Sequence, residues 1–598
     1  MDESLFSIDE FIENGMTLFN MGMYKELIEV CREFLQETKD DRIYSMLASA
    51  EFSIGDAQSA EKSVRLGLSI NPKNPDLLYN LACILQHKGA LSNAMRYFAR
   101  AEKASTHKVK NGLSDDTELA DICRSEITRL KETLGKSEDE IIPNKAKKHV
   151  LVVAFIYPPL SGSGVQRTVK LVKYLRSFDW EPIVITAAGE AAFLGDEYFD
   201  ELPDDIEVYR IPREKEITKS DLEYMKSKIS HMLSEPMRRR LQIYYDKLNI
   251  DMQYTLMAFP EEVVLWANRI ADDLCKYIDI NKIDAVYSTS GPFSDHIAGY
   301  FIKEQYGIPW VADFRDEWSN NPILWPDKEN IHYKMCIDCE QTILDKADHV
   351  ICVTETSRDN FINLGIHPEK ISCITNGYDE EDFEWLKHSD FGRKTDNEKF
   401  TIIHNGLLYS DRSVPTILEA IRNLIDRNEI DANKVTFHIG NIFNETDREE
   451  SNKLIDKYAM EDIAFHTAYM EHFDSLVHAA SADLLMIILG TSKEYASVYT
   501  GKIFEYLRLG TQILSLAPCG GILAKLLKKT GHGVTVEYSD VAGIEKEILH
   551  FYRIWTKNKK NGITGPLLPN TTVDITMYER KNLTRRFAEI VNEVSKYS

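Results

Sequence analysis

Lys502 and Glu505 stand three positions apart in Tyr499-Thr500-Gly501-Lys502-Ile503-Phe504-Glu505-Tyr506-Leu507-Arg508-Leu509-Gly510, where a turn, a cation and a carboxylate meet at an expected helix start. Free N–H groups at Gly501 and Lys502, the helix dipole and the lysine charge all favour an anion at that point. One helical turn separates Lys502 from Glu505, so the two share a face, and a carboxylate there can accept hydrogen bonds from two vicinal hydroxyls. The chemistry implied is capture of a pyrophosphate together with an attached ribose, with Thr500, Gly501, Lys502 and Glu505 as binding residues. An exposed Lys/Glu pair that caps a surface helix has the same local pattern.

The elements that must position this pair are two apolar runs, residues 483–488 before it and 512–516 after it. Together they make a βαβ unit with its loop at a strand's carboxyl end, where open α/β sheets bind ligands. A second such loop follows the buried run 149–155: Tyr157-Pro158-Pro159-Leu160-Ser161-Gly162-Ser163-Gly164-Val165-Gln166-Arg167. Gly162 and Gly164 let backbone approach a ligand, and the helix that follows favours a phosphate or a growing negative charge. The spacing is not GxGxxG, which argues against a nicotinamide dinucleotide.

Arg315 and Asp316 close a third strand-like run, Trp310-Val311-Ala312-Asp313-Phe314. A guanidinium at a cleft holds a carboxylate or phosphate through two bonds, and the adjacent Asp can orient a hydroxyl. The alternative for Arg315 is a buried structural pair with Asp313. His332, Cys336 and Cys339, followed by His349 and Cys352, draw a zinc site on paper, but they also read as an amphipathic helix running into a strand, and no metal is expected.

The chain has 598 residues, 43% of them hydrophobic and 28% charged, which is soluble globular composition spread over several units. A formal charge of -24 argues against nucleic acid as a partner. Nine cysteines, odd in number and scattered, read as reduced thiols. No long apolar run and no basic-plus-apolar leader is present, so a cytoplasmic location is expected. A helical insertion near residues 215–248 carries Met237-Arg238-Arg239-Arg240, a solvated face that could also meet the inner face of a membrane.

Self-similarity with a period near 34 marks residues 1–136: Gly22, Gly55 and Gly89 fall at successive turns, Ala48 matches Ala82, and Ala60 matches Ala94. Tyr44, Leu47, Ala48, Gly55, Ala60 and Pro72 fall where tetratricopeptide repeats place large, small, turn and break residues, so this module resembles that repeat, with a capping helix near 115–134. Such stacks offer a groove to a protein partner, or serve as a spacer or dimerisation element. A charged linker, 137–147, follows.

From residue 148 onward strands alternate with helices, the pattern of parallel α/β sheets. The separated motifs Tyr157 to Arg167, Asp284-Ala285-Val286-Tyr287-Ser288-Thr289-Ser290-Gly291-Pro292, Gly307 to Trp318, Ile374-Thr375-Asn376-Gly377-Tyr378-Asp379 and Thr500 to Gly510 stand in the order of a family 4 (GT-B fold) glycosyltransferase, which the chain resembles. The resemblance implies two Rossmann-like domains, 148–390 and 396–575, facing a cleft, with a last helix over 576–598 crossing back to the first. It implies a nucleotide-sugar donor, UDP- or GDP-linked, retention of anomeric configuration and no obligatory metal; the acceptor stays open between a glycan, a lipid-linked glycan and a protein, the last suggested by the repeat module. Arg412, after the strand at 400–404, takes the place of the family's diphosphate-gripping residues, and residues 464–480 that of its nucleobase site. Two positions depart from the pattern: Arg315 stands where many members have histidine, and Ser497 stands eight before Glu505, where fuller acidic signatures have glutamate. A nucleotide-sugar epimerase and a non-catalytic scaffold share most of these motifs.

Overall fold

The computed structural model describes residues 7–110, 117–160, 164–188, 201–213, 216–321, 324–325, 327–388, 398–408, 414–442, 444–490 and 493–596. Three helix pairs come first: α1 (Ile8–Asn20) with α2 (Tyr24–Glu37), α3 (Asp41–Ser53) with α4 (Ala57–Ile70), and α5 (Pro75–His87) with α6 (Leu91–Lys110); α7 (Glu118–Leu134) closes the stack. Each pair reverses at Gly22, Gly55 or Gly89, whose φ angles of 74, 86 and 79° lie where only glycine sits without strain. Side chains of Asp40, Asp56 and Asn74 cap the helices they precede. Ala48, Ala60, Ala82 and Ala94 are buried between helices, and their small size lets the pairs approach. These stacked pairs form the tetratricopeptide-like region. Within the linker, Glu138–Ile141 is a single helical turn closed by a reciprocal Ser137/Glu140 capping box.

Two all-parallel sheets follow. The first contains β1 (Lys148–Val153), β2 (Trp180–Ala188), β3 (Glu207–Pro212), β4 (Ala285–Thr289), β5 (Trp310–Phe314), β6 (His349–Cys352) and β7 (Ile371–Cys373), in the order β3-β2-β1-β4-β5-β6-β7. The second contains β8 (Phe400–Ile403), β9 (Val435–Ile439), β10 (Ala464–His466), β11 (Leu484–Ile488), β12 (Ile513–Leu516) and β13 (Gly533–Val536), in the order β10-β9-β8-β11-β12-β13. All residues of β4, β5, β6, β8, β11 and β12 are buried, which is why those runs are mainly apolar and do not alternate with exposed polar residues. The strand order reverses between β1 and β4 and again between β8 and β11, and each reversal opens a crevice at the strands' carboxyl ends. Two paired, all-parallel sheets of this kind, after a helical stack, give the GT-B-like α/β architecture.

Helix Arg580–Val594 belongs to the first sheet although it follows the second in sequence: Leu583, Phe587, Ala588 and Val591 pack into one core with Val150, Val152, Val169 and Tyr287. The chain returns along Tyr378, whose N–H donates to Tyr578 O at 3.1 Å and whose carbonyl accepts from Arg580 N at 2.7 Å. Gly377 makes that passage possible, since a Cβ there would lie 2.1 Å from Tyr578 O.

One acidic turn, Glu380–Phe383 with its flanking residues, joins all three parts of the molecule. Asp379 accepts from Lys173 Nζ at 2.6 Å and Tyr174 OH at 2.5 Å, both on the helix Val165–Leu175 of the first sheet domain. Glu380 pairs with Arg508 of the second sheet domain at 2.5 Å. Glu381 and Glu384 reach the solenoid: Arg96 lies 2.8 Å from Glu381, while Ser92 N and Oγ donate to Glu384 at 2.8 and 2.7 Å.

Candidate functional site

Thr500, Gly501, Lys502 and Glu505 lie at the start of the helix Lys502–Leu509, between β11 and β12. Gly501 is the N-cap and makes no side-chain cap, and a Cβ built on it would meet nothing within 4 Å, so open space lies over the helix end. Thr500 Oγ1 is buried without a partner. Lys502 Nζ and the N–H groups of residues 501 and 502 make no hydrogen bond or ion pair among the described residues. Glu505 is committed: its Oε1 lies 2.8 Å from His472 Nε2, at the head of the helix His472–Ala480. Burial pushes the Glu505 carboxyl up, but His472, through charge and hydrogen bond, outweighs it with help from Lys502 and Arg580, and the net pKa lies below the ordinary value. Arg580, which acts on Glu505 through space, heads the helix that packs on the first sheet.

In the first sheet domain Arg315 directly follows β5, and its guanidinium is wrapped by backbone. Nε donates to Ser290 O and Nη2 to Gly291 O at 2.8 Å, while the backbone N–H donates to Ser290 Oγ at 3.1 Å. The glycine at 164 is explained here: a Cβ on it would fall 1.1 Å from Arg315 Nη1, and one on Gly291 would fall 2.2 Å from Nη2. Gly164 therefore makes room for an arginine of its own domain. Gly162 and Arg412 lie outside the described residues.

The expected alternative pairing of Arg315 with Asp313 does not occur. Asp313 is taken instead by Arg167, at 2.6 and 2.8 Å in a two-bond fork, and by Tyr287 OH at 2.6 Å. Arg167 spends its remaining donors on the carbonyls of Ile374 and Thr375, both at 3.0 Å, and so ties β5 to the end of β7. Asp316 is exposed beside Arg315, where desolvation by the crevice walls and the adjoining Glu317 raise its carboxyl above the ordinary value against the pull of Arg315.

Sequence reasoning missed a polar chain at the second strand reversal. Asn405, just past β8, binds Tyr506 OH through its N–H at 3.2 Å and His478 Nδ1 through Oδ1 at 2.8 Å; His478 Nε2 in turn meets His438 Nδ1 at 2.8 Å. The zinc drawing dissolves: His332 Nε2 contacts Leu256 O at 3.1 Å, His349 Nε2 contacts Ser372 Oγ at 2.8 Å, and Cys336, Cys339 and Cys352 are core residues. Among the described residues the one carboxylate group spaced to hold a cation is Glu201, Asp379 and Asp382, and Lys170 Nζ already lies 2.5, 2.8 and 2.6 Å from these three.

Two facing parallel sheets, each with its strand-order reversal, and a last helix that crosses back define a GT-B-like protein. Residues 253–382, inside the first sheet domain, match the family model described as Glycosyltransferase Family 4. Among solved structures the chain is similar to a glycosyltransferase from Rickettsia africae ESF-5 (14% identity, 76% of this chain and 100% of that one, TM-score 0.46). It is also similar to sucrose-phosphate synthase from Thermosynechococcus elongatus (10% identity, 75% and 100%, TM-score 0.46) and to Anabaena HepE solved with UDP (12% identity, 75% and 98%, TM-score 0.42). A stretch of 132 residues is 26% identical to signal recognition particle subunit SRP72 of Canis lupus familiaris, covering 21% of this chain. The human SRP72 is 25% identical over 132 residues, and the chain spans about a fifth of the length of these curated relatives, 20% in each case.

Proposed function

We propose that this protein transfers a sugar from a nucleoside-diphosphate sugar, UDP- or GDP-linked, to an acceptor hydroxyl with retention of configuration, in glycan or glycoconjugate synthesis. The observation that carries the reading is the helix start at 500–502, where a buried hydroxyl without a partner, an uncommitted ammonium and free N–H groups meet open space beside the Glu505 carboxylate. As the bond between sugar and phosphate breaks, negative charge grows on the departing diphosphate; Lys502, the N–H groups and the helix dipole stabilise it, and Arg412 adds a delocalised charge. Glu505, held ionised by His472, accepts the ribose hydroxyls. Arg315 fixes the loop that carries Gly291 and presents Asp316, which orients the acceptor hydroxyl. No metal takes part in this reading.

The acceptor is a glycan, a lipid-linked glycan or a protein. The solenoid offers a groove of about 390 Å³ lined by Tyr79, His87, Glu126 and Arg129 among others, the place for a protein partner. Arg239 and Ile243 lie one turn apart and exposed on the helix Glu235–Tyr245, which supports peripheral contact with the inner face of a membrane. The test is incubation with a panel of UDP- and GDP-sugars with and without candidate acceptors, following free nucleoside diphosphate. Acceptor-dependent release from one donor is expected. Conversion of the donor to its epimer would favour the epimerase reading, and inertness toward every donor would favour a scaffold.

A further inference from the structure

The last helix begins with a charge that no direct contact answers. Arg580 opens the helix Arg580–Val594 with 8% of its surface exposed, and its guanidinium makes no hydrogen bond or ion pair among the described residues. The helix end adds to the positive potential: Glu579 at the N-cap forms no side-chain cap, and the first turn holds no acidic residue. Arg580 lines a cavity of about 30 Å³, together with Arg167, Asp313, Tyr287, Thr375 and Phe587 among others. Thr375 lines it too, and its Oγ1 is buried with no partner.

The carboxylates around this cavity are already matched. Asp313 is held by Arg167 at 2.6 and 2.8 Å and by Tyr287 OH. Glu505, Asp379 and Asp382 act on Arg580 through space, but their short contacts go to His472 at 2.8 Å, Lys173 at 2.6 Å and Lys170 at 2.6 Å. Burial, reinforced by Arg167, lowers the Arg580 guanidinium to about 10, the mark of a cation short of counter-charge. A water would fill the volume and take a hydrogen bond, yet it brings no charge. A monatomic anion close to water in size brings that charge to the same place.

We propose that the cavity between the Arg580 guanidinium and the Thr375 hydroxyl holds one monovalent, halide-sized anion, for which chloride is the probe. The ion pins the last helix to the first sheet domain at the point where the chain crosses between domains. Arg580 and Glu505 of the donor seat act on each other through space, but the anion site does not depend on the proposed transfer reaction.

The test compares thermal melts of the full chain in sodium chloride and in sodium gluconate at matched ionic strength, together with bromide-soaked crystals. The expected result is a saturable rise in Tm with chloride of about 2 °C or more, absent in Arg580→Met and reduced in Thr375→Val. Bromide should give an anomalous peak between the Arg580 guanidinium and Thr375 Oγ1. Equal melting in the two salts, or a cavity with no anomalous scatterer, overturns the proposal in favour of a water. Should Arg580→Met fail to fold, the wild-type melts and the bromide map decide by themselves.

Discussion

His472 Nε2 meets Glu505 Oε1 at 2.8 Å, joining the heads of two helices that lie 33 residues apart in sequence. This contact holds the Glu505 carboxyl below its ordinary pKa despite burial. Removing the imidazole in His472→Ala lets that pKa rise, so the carboxylate is lost at a higher pH than in the wild type. The expected outcome is that nucleoside-diphosphate affinity, measured by calorimetry from pH 8 downward, falls earlier in the variant. Identical pH profiles would show that His472 does not set the charge of Glu505.

Lys502 makes no contact that the fold needs. Lys502→Ala should therefore leave the melting temperature unchanged while slowing transfer about 10²-fold or more, because the lost charge acts chiefly as the leaving group departs. Initial rates with the cognate donor check this, and Lys502→Arg should recover part of the loss.

Gly164 has φ -92°, so alanine there meets no backbone strain, only the Arg315 guanidinium at 1.1 Å. Gly164→Ala is expected to cost about 1–3 kcal/mol of stability by overpacking and to displace Arg315. Arg315→Ala removes the obstacle, so the double variant should show a coupling of at least about 0.5 kcal/mol in a denaturant cycle. Strict additivity would mean that the glycine serves something other than the arginine.

Glu384 accepts both the N–H and the hydroxyl of Ser92, and Lys136 Nζ lies 3.0 Å away. Glu384→Ala leaves those buried donors unsatisfied and should cost about 1–3 kcal/mol. Faster proteolysis within residues 137–147 is the readout. The neighbouring Glu381 adds a pH term: burial would raise its pKa, but Arg96 and Lys173 bring it from 4.5 to about 2. A depressed carboxylate contributes stability above its unfolded pKa and loses it as pH falls through the folded one, so docking of the solenoid should weaken between about pH 4.5 and 2.

The parts legible in the sequence are those whose signal is local. The 34-residue period exposed the helix pairs because each reversal requires a glycine at positive φ, and the long apolar runs exposed the central strands because both faces of each sheet are covered. β7 has only three residues, and β13, Gly533-Val534-Thr535-Val536, is half-buried at its first three positions, so neither makes an apolar run that stands out from loops. Lys502 and Glu505 were readable as neighbours since one helix turn separates them. The partners that give site residues their state were not. His472 for Glu505, Arg167 for Asp313 and Gly164 for Arg315 are brought together by sheet topology across 33, 146 and 151 positions, and no local spacing encodes them.

The most direct test of the central claim is a calorimetric titration of UDP and GDP into the wild type, Lys502→Ala and Glu505→Gln. The account predicts saturable binding of one of the two nucleotides, weakened about tenfold or more by each substitution, the amine losing the diphosphate and the carboxamide the ribose. Binding that is absent from the wild type, or that is equal in all three proteins, would contradict it.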